Sequence, residues 1–341
     1  MKRTDRTQKA GFAVSAALLL ILLVCSFVSS LLFGAERINV RDVFVRTGGD
    51  PFARIILVNL RLPRSLLAAL AGMLLAGAGA AFQLFFRNPL AEPGIMGISS
   101  GATLGAVAAG SFGAVPVFWN ILSPVNTGAF FGALISGMLV TSLAGKRTGS
   151  SATVALLLCG TALGTLYSAF TSIILLLRDR ELHAMYVWML GSFSGRGWNE
   201  LRFIAVPAVL AIFLLTLSSL PLDLMAGGER TAASLGVDIR KLRLLVMTAG
   251  ALAASSAVCA GGTIGFVGLI APHIVRRIFG AKSRALVPLS MAAGAVLMLV
   301  SDTLARTVAA PAEIPVGVIT SLLGAPFFIS LIFSDKGLRN G

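Results

Sequence analysis

A chain of 341 residues that is 56% hydrophobic and only 12% charged, with a mean hydropathy of +0.90, is excluded from the ordinary soluble class, in which about a quarter of residues carry charge. The formal net charge of +14 raises nucleic acid as a partner, but the cations gather in polar breaks between apolar runs, so the excess reads as membrane topology and no nucleic-acid partner is expected. The expected fold class is all-α, a polytopic membrane helical bundle of about ten transmembrane helices, forming a single transmembrane domain over residues 1–341.

A spanning helix needs about 20 mainly apolar residues. In chain order the candidate runs are 11–33, 62–84, 94–112, 127–145, 152–177, 203–220, 244–262, 264–279, 286–305 and 314–333. The first follows Lys2-Arg3 as a signal peptide would. Its apolar stretch is about 23 residues against about 7–15 for a signal h-region, and Val24 before Cys25 is bulkier than a lipoprotein site normally has, so it reads as an uncleaved span. With a cytoplasmic N-terminus and ten alternating spans, 17 of the 28 Lys and Arg fall inside and 11 outside, and both termini are cytoplasmic; this is the direction of the positive-inside rule. Six of the outside set lie between Arg37 and Arg64, where a simple rule predicts fewer.

The second span ends in Arg87-Asn88-Pro89 and runs on through Glu92-Pro93, a turn expected on the cytoplasmic side. Gly72, Ala76 and Ala80 form a small-residue stripe, as do Gly101 with Gly105, Gly128 with Gly132 and Gly160 with Gly164; such stripes let helix backbones approach closely in lipid. Pro221 to Leu242 is a polar cytoplasmic segment able to form short helices, with Leu235-Gly236 as a stop. After the seventh span, Gly262, Gly265, Gly268 and Pro272 permit a sharp reversal, followed by His273. A lone histidine after a proline reads as a helix cap or hydrogen-bonding group in preference to a metal ligand. Pro93–Ile98 beside Gly262–Gly268 hints at an inverted repeat.

Few groups suggest chemistry. Cys25, Cys159 and Cys259 each lie in an apolar run without ligand spacing and read as small hydrophobes; no metal site is expected. Gln83, His273, Asp302 and Glu313 are the polar residues of the spans, all near predicted ends, so the midplane lacks the carboxylates that an ion-coupled secondary transporter places there. An intramembrane enzyme lacks a paired nucleophile and base. Gly145-Lys146-Arg147-Thr148 is not a Walker motif, so ATP is not bound by this chain in that manner.

Several motifs, taken in order from about residue 55 to the end, resemble the permease subunits of the ABC importers for iron-siderophores and vitamin B12. They are Arg61-Leu-Pro-Arg64 with Gly72, Gln83 and Arg87–Gly94; Trp188-Met-Leu-Gly-Ser192; Gly228-Glu-Arg-Thr-Ala-Ala-Ser-Leu-Gly236; Gly262–Arg276; Pro288, Asp302 and Arg306; and Glu313–Gly317 through Gly324–Phe328. The resemblance implies a non-catalytic membrane subunit in the plasma (inner) membrane of a prokaryote, embedded in lipid and paired with a second copy or a homologue. ATP and Mg would sit in a partner ATP-binding-cassette ATPase dimer, no cofactor in this chain, and an extracytoplasmic substrate-binding protein would dock outside. The implied cargo is a chelated metal, ferric siderophore first and haem or cobalamin as alternatives.

By the same resemblance Arg61, Arg64 and Arg306 are binding-protein docking residues. The local alternatives are an Asp302–Arg306 pair four apart on one helix face and snorkelling of Arg61 and Arg64. Residues 221–242 are the coupling loop, with Gly228, Glu229, Arg230, Ala233, Leu235 and Gly236 at the ATPase contact, and Arg87, Asn88, Pro89, Gly265, Gly268, Pro272 and His273 belong to helix turns or gates.

Overall fold

The helix Leu62–Phe85 is apolar or small at almost every position, so no face of it is suited to water, and it fills the centre of the molecule. The computed structural model, which describes residues 2–34, 36, 51–112, 123–144, 150–178, 182–279 and 283–333, has ten main helices, this central one included. They are α1 (Lys2–Leu32), α2 (Leu62–Phe85), α3 (Ile98–Phe112), α4 (Pro124–Ala144), α5 (Ser150–Leu177), α6 (Trp198–Met225), α7 (Ile239–Gly261), α8 (Val267–Phe279), α9 (Ser283–Thr307) and α10 (Val316–Phe333). Short helices precede α6 and α7, at Leu182–Met189 and Glu229–Ser234. The Arg37 end of the outer arginine group and Gly145-Lys146-Arg147-Thr148 lie outside the described residues.

α2 packs against α1, α6, α7, α8 and α9, and α7 against α2, α4 and α6. The spans ending in α2 and α7 are each 78% buried, whereas that of α1 is 6% buried, so α1 presents its side chains to lipid. The small-residue stripes do what their spacing predicts. A Cβ on Gly105 of α3 would lie 2.1 Å from the Gly128 carbonyl oxygen of α4, and one on Gly128 would lie 2.2 Å from that of Gly105. Gly72 of α2 and Gly294 of α9 meet in the same reciprocal way, at 2.1 and 2.3 Å. Helices that touch backbone to backbone gain dispersion where lipid offers no hydrophobic drive.

Each of the ten predicted runs coincides with a helix, but among the described residues seven helices are long and apolar enough to cross a membrane by themselves; Ile98–Phe112 and the run Val316–Ser330 are shorter apolar helices. α8 departs furthest from expectation. Its 13 residues reach about 20 Å at 1.5 Å per residue, less than the hydrocarbon thickness of about 30 Å. The Gly262–Phe266 reversal therefore enters the bundle: a Cβ on Gly268 would meet the Leu75 carbonyl of α2 at 3.0 Å.

The coupling segment is also narrower than expected. α6 continues through Pro221 to Met225 and α7 starts at Ile239, which leaves 226–238 in place of 221–242. Leu222 and Met225 are fully buried, and that burial holds the helix together past a proline that removes one backbone bond.

Candidate functional site

Three polar assemblies stand out, at the two ends of the bundle and in its middle; the ends are called outer and cytoplasmic after the sides that the cation count above leads one to expect. At the outer end α2 begins after a π-helical stretch, Ile56–Arg61, in which Leu62 N–H reaches back to Leu57 O. The wider turn precedes Pro63, which has no N–H to give. Arg61 donates from Nη1 to the carbonyls of Leu31 (2.9 Å) and Leu32 (2.8 Å) and from Nη2 to that of Glu36. These are the last carbonyls of α1 and its exit, which have no helical partner of their own. Arg306 of α9 donates from Nη2 to Ser30 O at 2.9 Å and Ser30 Oγ at 3.0 Å, and pairs through Nε with Asp302 Oδ2 at 3.2 Å. Arg64 forks onto Asp302 Oδ1 through Nε (3.1 Å) and Nη2 (2.9 Å), and its Nη1 meets both oxygens of Glu313 at 2.9 and 3.0 Å.

Arg61, Arg306 and Asp302 are 5%, 3% and 0% exposed, so the local Asp302–Arg306 pair is the arrangement present. Neither Arg61 nor Arg306 snorkels or points a free guanidinium outward; only the Arg64–Glu313 edge is partly open, with side chains 11% and 29% exposed. Glu313 lies in the link between α9 and α10. Burial alone would raise its carboxyl, but the bonds and charge from Arg64, with Ser194 and Arg306 assisting, hold it below the usual carboxylate range. Sequence reasoning missed Ser30 and Ser65, whose hydroxyls meet at 2.6 Å inside this cluster; serine in an apolar run carries no signal of where it points.

In the middle, a cavity of about 730 Å³ opens where the α7–α8 reversal, the Pro93–Met96 turn, α2, the end of the short Leu182–Met189 helix and the first half of α10 converge. Gly262 has φ +74° and a Cβ there would sit 2.5 Å from Trp188 O, so the chain leaves α7 by a path open only to glycine. Thr263 Oγ1 donates to Met189 O, Ser192 N to Gly261 O at 2.7 Å, and Gly317 N to Gly191 O at 3.3 Å. Phe266 takes φ +68° and packs on Gly324 of α10, where a Cβ would lie 2.3 Å from its ring. Gln83 Nε2 donates to Gly268 O at 3.0 Å, and Arg276 Nη2 reaches Gln83 Oε1 at 3.4 Å. Gly265 and Gly268 line the cavity, while Pro272 is buried in α8. His273 stands edge-on to Phe327 of α10 with ring centroids 5.6 Å apart. The cavity lining is glycine, proline and apolar side chains apart from Glu92, Ser99, Thr263 and Ser321.

At the cytoplasmic end Arg87 sits just past α2 with φ +49°. Asn88 N donates to Gln83 O at 3.1 Å and Arg87 N to Leu84 O at 3.3 Å, the paired bonds of a left-handed helix stop in which glycine is the usual residue. Asn88 Oδ1 accepts from Leu90 N at 2.9 Å, turning the chain through Pro89. The Glu229–Ser234 helix starts after Gly228 (φ +99°) and ends in the same kind of stop, Val237 N to Ala232 O and Gly236 N to Ala233 O, both at 3.0 Å. Ala232 is its buried anchor, while Arg230, Ala233, Leu235 and Gly236 are exposed. Asp238 caps α7 by accepting from the backbone N–H groups of Arg240 and Lys241, and those bonds, Lys241's first, hold its carboxyl below the usual range.

Among the described residues no group of three or more His, Cys, Asp or Glu is placed to hold a metal ion. An all-helical membrane bundle with an internal, mostly apolar cavity and structured loops at both ends defines a polytopic transport subunit. The family model for the FecCD transport family matches residues 20–334, and the chain belongs to that family, as the permease subunit of an ABC importer. It is 39% identical, over 97% of its length and 98% of the relative's, to the Fe(3+)-citrate import system permease protein YfmE of Bacillus subtilis. It is 38% identical to the hemin transport system permease protein HmuU of Yersinia pestis, covering 95% of this chain and 96% of that one. A solved structure described as an inward-facing conformation of a metal-chelate type ABC transporter superimposes with a TM-score of 0.82 at 33% identity, covering 94% of this chain and 99% of the other.

Proposed function

We propose that this permease imports a chelated metal, a ferric siderophore first, into the cytoplasm of a prokaryote by ATP-driven alternating access across the plasma (inner) membrane, with both termini cytoplasmic. The cavity at the α7–α8 reversal carries the proposal. It is bounded on one side by the glycine-locked α2 and α7 and on another by α10, which packs only on α8 and α9 among its stronger contacts. A wall so lightly held is one that two packings of the bundle can share. This cavity is taken as one chain's side of a path completed by a second copy or a homologue.

ATP and Mg belong to a partner ATPase dimer, seated on the exposed face of the Glu229–Ser234 helix and on Leu235-Gly236, with Arg87 close by. Gly228 approaches Arg87, an added Cβ lying 3.8 Å from its Nη1, so the two cytoplasmic turns form one surface. An extracytoplasmic binding protein docks at the outer rim. There the Arg64–Glu313 pair is the partly open member, where an incoming carboxylate would displace Glu313 from Arg64 Nη1, while Arg61 and Arg306 act behind it as caps of α1.

The test is accumulation of labelled ferric siderophores, haem and cobalamin, competed against one another, in a strain lacking the gene and in the same strain complemented. Loss of one uptake and its return with the gene supports the proposal and assigns the cargo. An unchanged uptake of all three overturns the metal-chelate reading.

A further inference from the structure

We infer that the cargo crossing this cavity is a neutral or cationic metal chelate, and that Glu92 is a specificity-determining residue that disfavours anionic chelates. The inference rests on the proposal that this cavity is part of the transport path. It departs from the cargo named for the ferric-citrate relative, because it is drawn from the lining of this chain alone.

The lining holds no lysine, arginine or histidine among the described residues, and its one ionisable side chain is the Glu92 carboxyl. Arg276 reaches Gln83 at 3.4 Å without lining the cavity, and Arg87 is exposed beyond the end of α2. An anion moved into such a space loses water and gains no counter-charge, which is the costly case. A fixed carboxylate makes it worse by like-charge repulsion in a medium of reduced dielectric. Hydroxyls of Ser99, Thr263 and Ser321 and an acidic group suit instead a chelate that offers hydrogen-bond donors or a positive substituent. Burial raises the Glu92 carboxyl while a bond from the Phe266 backbone works the other way, so a protonated Glu92 adds a donor and still supplies no positive charge. The position is also fixed, because Glu92 stands at the start of the Pro93–Met96 turn against the α8 reversal.

The experiment compares uptake of radiolabelled iron in the complemented strain, presented as a trihydroxamate chelate of zero net charge, a trihydroxamate bearing a free amine, ferric citrate and a tris-catecholate. The readout is the ratio of anionic to neutral uptake in wild type and in Glu92→Gln, which cancels the selectivity of any outer receptor or binding protein. The expected result is wild-type transport of the neutral and cationic chelates at least about tenfold faster than the anionic pair, with the ratio rising about tenfold in Glu92→Gln. Ser321→Lys, which places a cation on the α10 wall, is expected to move the ratio in the same direction and serves if Glu92→Gln does not assemble. Anionic chelates carried as well as neutral ones, or a ratio unmoved by both variants, overturns the inference while leaving the importer reading intact. Wild type that carries none of the four overturns the inference together with the ferric-siderophore assignment.

Discussion

Replacing Asp302 with alanine removes the one carboxylate shared by Arg64 and Arg306. The structure shows what is left behind. Arg64 loses its bonds through Nε and Nη2, and Arg306 loses its pair at 3.2 Å. Arg306 keeps only backbone and serine acceptors, at a position 3% exposed. Removing one partner of a buried ion pair costs about 3–5 kcal/mol, because the remaining charge stays desolvated. Glu313 still holds Arg64 Nη1, which places the expected loss near the lower end, about 3 kcal/mol. Asp302→Asn keeps the shape and one acceptor oxygen and is expected to lose less, about 2 kcal/mol. The assay is reversible unfolding of the purified full chain in mixed micelles, with Asp302→Ala also combined with Arg306→Met. If the cost comes from the stranded cation, the double variant recovers at least about 1 kcal/mol of it. A loss below about 0.5 kcal/mol for Asp302→Ala, or a double variant as unstable as the sum of the singles, refutes the reasoning.

Gly105→Ala is expected to cost about 1–3 kcal/mol, since its Cβ would meet Gly128 O at 2.1 Å; Gly197→Ala, which meets nothing within 4 Å, is expected to cost less than about half of that in the same unfolding assay. The depressed Glu313 carboxyl contributes stability that is present above its ordinary value of 4.5 and is lost as pH falls through its lower folded value. Melting temperature should therefore drop more steeply on acidification below that point in wild type than in Glu313→Gln, and parallel curves would show that the Arg64 pairing adds nothing. Arg87→Gly should raise stability by about 1 kcal/mol by relieving a left-handed backbone that only glycine adopts freely. If Arg87 also contacts the ATPase, the same variant lowers uptake while the chain becomes more stable, and a fall in both would place the loss in the fold.

The sequence carried the number and order of the long helices because hydropathy is local and lipid makes it decisive. It carried less about depth. Residues 264–279 read as an apolar run of ordinary character, yet α8 starts only at Val267, because Phe266 adopts φ +68° against Gly324, a contact made with a residue far along the chain. The Asp302–Arg306 pair was legible from spacing on one helix. Its third member, Arg64, was not, since the bond joins residues separated by 238 positions. The stripes of glycine announced close packing but not the partner: that Gly101 and Gly105 face Gly132 and Gly128 follows from the antiparallel course of two helices, and spacing within each helix is silent on it. The end of α6 was misplaced at Pro221 because the burial of Leu222 and Met225 outweighs the local preference of proline.

The distribution of tight and loose packing bears on how such a bundle works. α2, α7 and α9 are joined through glycine contacts and buried apolar side chains, an arrangement that resists small deformations because close-packed interiors have no spare volume. α10 is joined differently: Gly317 lies on Leu190 O, where an added Cβ would stand 2.2 Å away, Phe266 fills the space over Gly324, and Arg64 holds Glu313 just before the helix. Two of these attachments involve the turn residues of the α7–α8 reversal or its neighbour at Leu190. A shift of that reversal therefore reaches α10 directly, whereas a shift of α1, capped by Arg61 and Arg306 at one end, reaches it through α9 and α8. The reversal and α10 thus form one connected path through the bundle, and both line the cavity.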